Sequence, residues 1–166
     1  MSGPPVGYVY AWRRATGRAE RVDVTYDGSN TISIPSKLAG ISSDGRYVLF
    51  NSASNRMVPG ARHTGGHLRD LDTGRTRTLD APGDPTASTR AGVFVGTTGE
   101  YVLMVGHREY VRDVRTDRTR LLPADDTGMA LVFDGHARVA AFQSWKDDWV
   151  PGDTNKRGDV FLLRLR

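Results

Sequence analysis

Along this chain short apolar runs alternate with clusters of Gly, Asp, Ser and Thr, and no window carries apolar residues at helical spacing over three turns. The pattern predicts strands throughout. In GYVYAWRRATGRAERVD two such runs flank Ala15-Thr16-Gly17-Arg18, a hairpin in which Gly17 supplies the positive φ of a tight turn. Asp23 to Lys37 is polar and turn-rich and reads as a connection, with at most a short strand around Ile32–Ile34. From Ala39 four strands follow: Ala39–Ile41, Tyr47–Phe50, His67–Leu71 and Arg75–Leu79. Turns at Ser43–Arg46 and Asp72–Gly74 join the hairpins, and Ser52–Gly66 is a long loop. Tyr47–Phe50 is apolar almost without a break, as suits a strand covered on both faces. Arg75–Leu79 alternates arginine with threonine, which predicts an outer strand with one wet face that resists edge-to-edge pairing.

That order repeats. Gly92–Gly96, Tyr101–Val105, Tyr110–Val114 and Thr119–Leu122 form a second unit without the long loop. VRDVRTDRTRLL pairs with LRDLDTGRTRTL, Asp117 standing where Gly74 stood. Met129–Phe133, Val139–Gln143 and Asp159–Leu165 form a third, with a long loop Ser144–Gly158 in which FQSWKDDWVPGD matches FNSASNRMVPGA. The chain reads as all-β, a single segment over residues 1–166. It divides into a half-unit and connection (1–35), whole units at 39–79 and 92–122, and a unit at 129–166 lacking its outer strand. Equivalent second strands then start at Tyr47, Tyr101 and Val139, spacings that bracket the roughly 40–50 residues of a four-stranded propeller blade.

SSDGRYVLFNSASNRMVPG followed by LRDLDTGRTR resembles the WD40-like (PD40) repeat of TolB-like β-propellers, in a form similar to many actinobacterial members. The matching elements are Ser43–Ser52, Asn55–Gly60 and Val150–Phe161, and the resemblance spans roughly Ala39 to Arg166. Thr98 and Ala137 stand near where the family's Asp-Gly turn belongs, so the signature is degenerate in the last two units. The resemblance implies blades of four antiparallel strands and a non-catalytic module that holds protein partners on one face. Such propellers are usually closed rings of about six blades, whereas this chain supplies about three in an incomplete ring. Three routes to closure stand open: further blades upstream of Met1, assembly as a homo-oligomer, or Ala19–Asp23 serving as the outer strand of the last unit.

Composition narrows function more than fold. The 166 residues carry 38% hydrophobic and 25% charged residues, as in a soluble globular protein, and no apolar run reaches membrane-helix length. No signal peptide is visible at the start, so the chain reads as cytoplasmic as written, or extracytoplasmic if its N-terminus is truncated. Without cysteine there is no disulfide or thiolate site. The net charge of +4 rests almost wholly on arginine. An arginine surface suits phosphate, but here arginines interleave with Asp and Glu, which argues against nucleic acid as a partner.

Candidate chemistry is sparse. The G-x-S-x-G elbow of a serine hydrolase is missing, which leaves an accessory fragment of a larger hydrolase or lyase as the enzymatic alternative. The four histidines, His63, His67, His107 and His136, read as surface residues, and the glycines between His63 and His67 forbid a helical zinc pair. Asp153, Asn155 and Asp159 partly resemble a calcium loop but lack its glutamate and enclose Lys156 and Arg157, so Asx-turn capping is the competing reading and no metal or cofactor is expected. Asp70 and Asp113 are expected to satisfy backbone amides between units. For the interaction surface the candidates are Trp145, Lys146, Asp148, Arg56 and His63, led by Trp145. Trp149 aligns with Met57 ahead of Val-Pro-Gly and is expected to pack inside.

Overall fold

The computed structural model describes residues 7–29, 35–95, 97, 99–122, 132–136, 138–146 and 148–165. Among them there is no helix, and the strands form four antiparallel sheets. Sheet I pairs β1 (Tyr10–Arg13) with β2 (Arg18–Arg21). Sheet II runs β3 (Lys37–Ile41), β4 (Tyr47–Ser52), β5 (Gly65–Asp70) and β6 (Arg75–Thr78), neighbours in chain order. Sheet III repeats that order with β7 (Arg90–Val95), β8 (Glu100–Val105), β9 (Arg108–Asp113) and β10 (Thr119–Leu121). Sheet IV holds β11 (Val132–Phe133), β12 (Val139–Ser144) and β13 (Asp159–Arg164). The expected strand at Ile32–Ile34, residues 129–131 of the expected first strand of the last unit, Thr98 and Ala137 lie outside the described residues.

Successive sheets pack face to face. Val9, Ala11 and Val22 of sheet I meet Val48 and Phe50 of sheet II, with Met57 completing the layer. The other face of sheet II, with Leu49, Leu68 and Leu79, meets Ala91, Tyr101, Leu103 and Val114 of sheet III. Val95, Val102, Val111 and Leu122 on the far side of sheet III meet Phe133, Leu163 and Leu165 of sheet IV. Polar ties run across the same boundaries. The Asn51 side-chain amide donates to Ala91 O (2.9 Å), and Ala91 N donates back to Asn51 Oδ1 (2.8 Å). Arg13 of sheet I donates to Leu71 O, and Arg77 of sheet II to Val114 O, so each guanidinium reaches the main chain after the third strand of the next sheet.

The repeat extends to individual hydrogen bonds. In the three outer hairpins, Gly17 N donates to Arg13 O, Gly74 N to Asp70 O and Asp117 N to Asp113 O, and all three donors have positive φ (64°, 68° and 56°). Five residues further on, Val22, Leu79 and Leu122 each donate back across their own hairpin, to the carbonyls of Val9, Gly66 and Glu109, and each is buried. Leu49 pairs with Leu68, Val102 with Val111 and Ala141 with Leu162, which makes these three pairs equivalent.

Two expectations are corrected. Tyr47 and Val139 are equivalent, pairing with Asp70 and Arg164, but Tyr101 pairs with Arg112, one residue out of step, and Glu100 takes the matching place beside Asp113. A one-residue shift reverses the face of a strand side chain. Tyr47 and Tyr101 therefore enter the same cluster from opposite sheets. The outer-strand role considered for Ala19–Asp23 also fails: Arg18–Arg21 is β2, paired with β1, while sheet IV ends at β13.

Candidate functional site

The loops after β4 and β12 are built on one plan. Ser52 Oγ accepts from Ser54 N and Ser144 Oγ from Lys146 N, turning the chain as it leaves each strand. Both loops then reach Val-Pro-Gly, where Gly60 and Gly152 take positive φ. Just before it, Met57 is buried in the sheet I–II layer. Trp149 takes the corresponding place beside Phe142 and Phe161, with ring centroids 5.1 Å and 6.2 Å away, and donates from Nε1 to Ser144 Oγ at 3.0 Å. Trp149 is a packing residue, as its alignment with Met57 implies.

Trp145 differs. Where the first loop has Ala53, Trp145 stands 67% exposed, its ring against Gly158, where an added Cβ would sit 3.2 Å from the indole. Lys146 and Asp148 are exposed on the same loop. Beside it opens a groove of about 690 Å³, lined by Val150, Pro151, Asp153, Asn155, Val160 and Leu162 among others. Its polar members bond to each other. Asn155 Nδ2 donates to Asp159 Oδ2 (2.9 Å), Asn155 Oδ1 accepts from Arg157 N (2.7 Å), and Asp153 Oδ1 accepts from Asn155 N (3.4 Å). The last two are Asx-type caps of the loop backbone. Among the described residues no group of three or more His, Asp or Glu stands together to hold a metal ion.

Arg56 and His63 are not part of this cluster. They lie on the loop of sheet II, and sheet III stacks between that sheet and sheet IV. Arg56 forms an ion pair with Asp27, and its carbonyl accepts from Tyr26 N, so it ties the loop to the connection after sheet I. His63 is buried: Nε2 lies 3.1 Å from Asp80 Oδ1 and Nδ1 3.0 Å from Thr64 O, which engages both ring nitrogens. His67 is buried too, stacked on Phe50 with centroids 5.1 Å apart and donating from Nδ1 to Gly65 O. Burial pushes its pKa down to about 4. The surface reading thus fails for His63, because the long loop folds back onto its sheet, and for His67, because it lies in β5 opposite Phe50, while His107 and His136 are exposed.

The recurring aspartates act within their own hairpins rather than between sheets. Asp70 Oδ1 accepts from Asp72 N and Thr73 N, and Asp113 Oδ1 from Arg115 N and Thr116 N. Arg46 adds a fork onto Asp70 at 2.8 Å and 3.2 Å, and this pairing holds the carboxyl down to about 2. Arginines of the last two strands of sheets II and III are engaged as well. Arg77 pairs with Asp117, Arg69 donates to Thr76 Oγ1 and Arg112 to Thr119 Oγ1.

Comparison with known proteins finds no family model that matches the chain and no curated protein that matches its sequence.

Proposed function

We propose that the four sheets are consecutive blades of a TolB-like β-propeller arc, and that the chain is a non-catalytic module that binds a protein partner through the loop after β12. The observation that carries this reading is Trp145: a large side chain, 67% exposed, propped on Gly158 in a loop whose backbone is fixed by Ser144 and Trp149. Binding residues concentrate on loops held by a rigid scaffold, and tryptophan is a favoured anchor because it offers much contact area with few rotatable bonds. Lys146 and Asp148 flank it as polar rim, and Val150 and Pro151 of the same loop add apolar floor in the adjoining groove. His63 supports the non-catalytic part, since both ring nitrogens are already bonded. Cross-strand and inter-sheet pairing of Arg69, Arg77 and Arg112 weighs against a polyanion surface.

Affinity capture with the wild-type chain and with Trp145→Ala tests it. A partner retained by the first and weakened at least about tenfold by the second, as expected for an anchor residue, supports the reading. A captured partner that ignores Trp145 contradicts it.

A further inference from the structure

We propose that the open face of sheet IV and the open face of sheet I bind each other between copies of this chain, so that the array of sheets continues head to tail. The proposal rests on the sheet stacking, not on the partner reading above.

Sheet IV presents the face that sheet II keeps covered. By strand register Ala141 corresponds to Leu49, Leu162 to Leu68 and Gln143 to Asn51. In sheet II that face receives sheet III: Leu68 is 3% exposed, and Asn51 clamps the Ala91 backbone with two hydrogen bonds. In sheet IV Leu162 is 75% exposed, and Val160 beside it and Val132 across Ala141 are exposed with it. The side chains suit a following sheet, and the amide of Gln143 stands where the clamp would form.

Sheet I presents the opposite kind of face. Its inward side, with Val9 and Ala11, covers sheet II, and the alternate residues Tyr10 and Trp12 point away, 58% and 64% exposed. Counted from the shared hairpin turn, Tyr10 corresponds to His67 and Tyr110, and Trp12 to Arg69 and Arg112. His67 and Arg112 are buried, and Tyr110 packs into the cluster between sheets II and III. Tyr8 joins the open face with the Arg21 guanidinium 3.9 Å over its ring. One end of the molecule is thus an aliphatic sheet face whose equivalents receive a neighbour, and the other an aromatic face whose equivalents supply one. A second copy offers both in the order that the internal stacking already uses, giving a heterologous interface that closes into a ring or extends as a filament.

Sedimentation of the wild type, of Trp12→Glu and of Leu162→Glu tests this, with circular dichroism to show that each variant folds, since both side chains are exposed. The wild type is expected to associate with rising concentration, and each variant to sediment as a monomer. An equimolar mixture of the two variants is expected to form a heterodimer and stop, because each retains the one face that the other lacks. A wild type that stays monomeric up to on the order of 100 μM overturns the proposal. So does a Trp12→Glu chain that still self-associates through sheet IV, or a mixture that stays monomeric.

Discussion

His67 makes the fold sensitive to acid. Its imidazole is buried against Phe50 with its pKa pushed from 6.5 down to about 4, so the folded form holds it neutral while the unfolded chain protonates it near 6.5. The stability this contributes is complete above pH 6.5, falls as pH drops, and stops falling below about 4. The equivalent positions carry Tyr10, Tyr110 and Phe161, all aromatic, so His67→Phe should keep the packing and remove the titration. Urea denaturation from pH 7 to 4 should show the wild type losing at most about 3 kcal/mol relative to His67→Phe; parallel curves would contradict the burial. Asp70 acts in a lower window. Its carboxyl is held to about 2 by Arg46 and the turn amides, so its contribution is present above 3.8 and is lost as pH falls toward 2. Gly65 is a steric requirement of another sort. It has φ of 125°, and a Cβ there would lie 1.9 Å from the carbonyl oxygen of Thr89, the residue just before β7. Gly65→Ala should cost about 3 kcal/mol or more by chemical denaturation, and a near-neutral result would mean that sheets II and III do not approach this closely.

At the scale of the element the outer hairpin is the most regular part, and it was also the most legible. RTRTL and RTRLL behind Asp-Thr-Gly and Arg-Thr-Asp mark a turn followed by a short strand, read in the first unit as having one wet face, and the structure places Gly74 and Asp117 at positive φ with Leu79 and Leu122 buried. Gly74→Ala should therefore cost about 1 kcal/mol, because an L-residue with a Cβ disfavours that conformation, and Gly74→Asp less, as Asp117 already tolerates it. Thermal melting of the pair checks the order. Leu79→Ala and Leu122→Ala should each cost about 2–5 kcal/mol, as equivalent core positions. The second strand was harder to read. Tyr-Val-Leu-Met-Val and Tyr-Val-Leu-Phe look alike, and an unbroken apolar run carries no alternation to fix which face each residue takes. The one-residue displacement of Tyr101 was invisible for that reason. His63 was missed because burial of a long loop depends on where it folds back, which local sequence does not encode. Trp145 was legible because the repeat exposed it: a tryptophan where the matching loop holds alanine.

At the scale of the whole molecule, the described sheets leave two different faces open. Sheets I to IV share three internal interfaces, and the residues left over at the ends, Tyr10 and Trp12 at one and Val160 and Leu162 at the other, are counterparts of residues inside those interfaces. Stability in such arrays is a sum of unit and neighbour terms, so substitutions at an internal boundary should weaken folding while those at the two ends should change association. Trp145 belongs to neither set, and Trp145→Ala should leave the melting temperature within about 2 °C, the small effect expected of an exposed side chain, while weakening partner capture.

The stacking itself is tested most directly by methyl nuclear Overhauser contacts in solution. Leu49 and Leu68 methyls should report proximity to Tyr101 and Leu103, while Val48 reports Val9 and Val22, since the two faces of sheet II serve different neighbours. Contacts from Leu49 to sheet I, or none between Leu49 and sheet III, would show that the sheets are not stacked in chain order and would overturn the account.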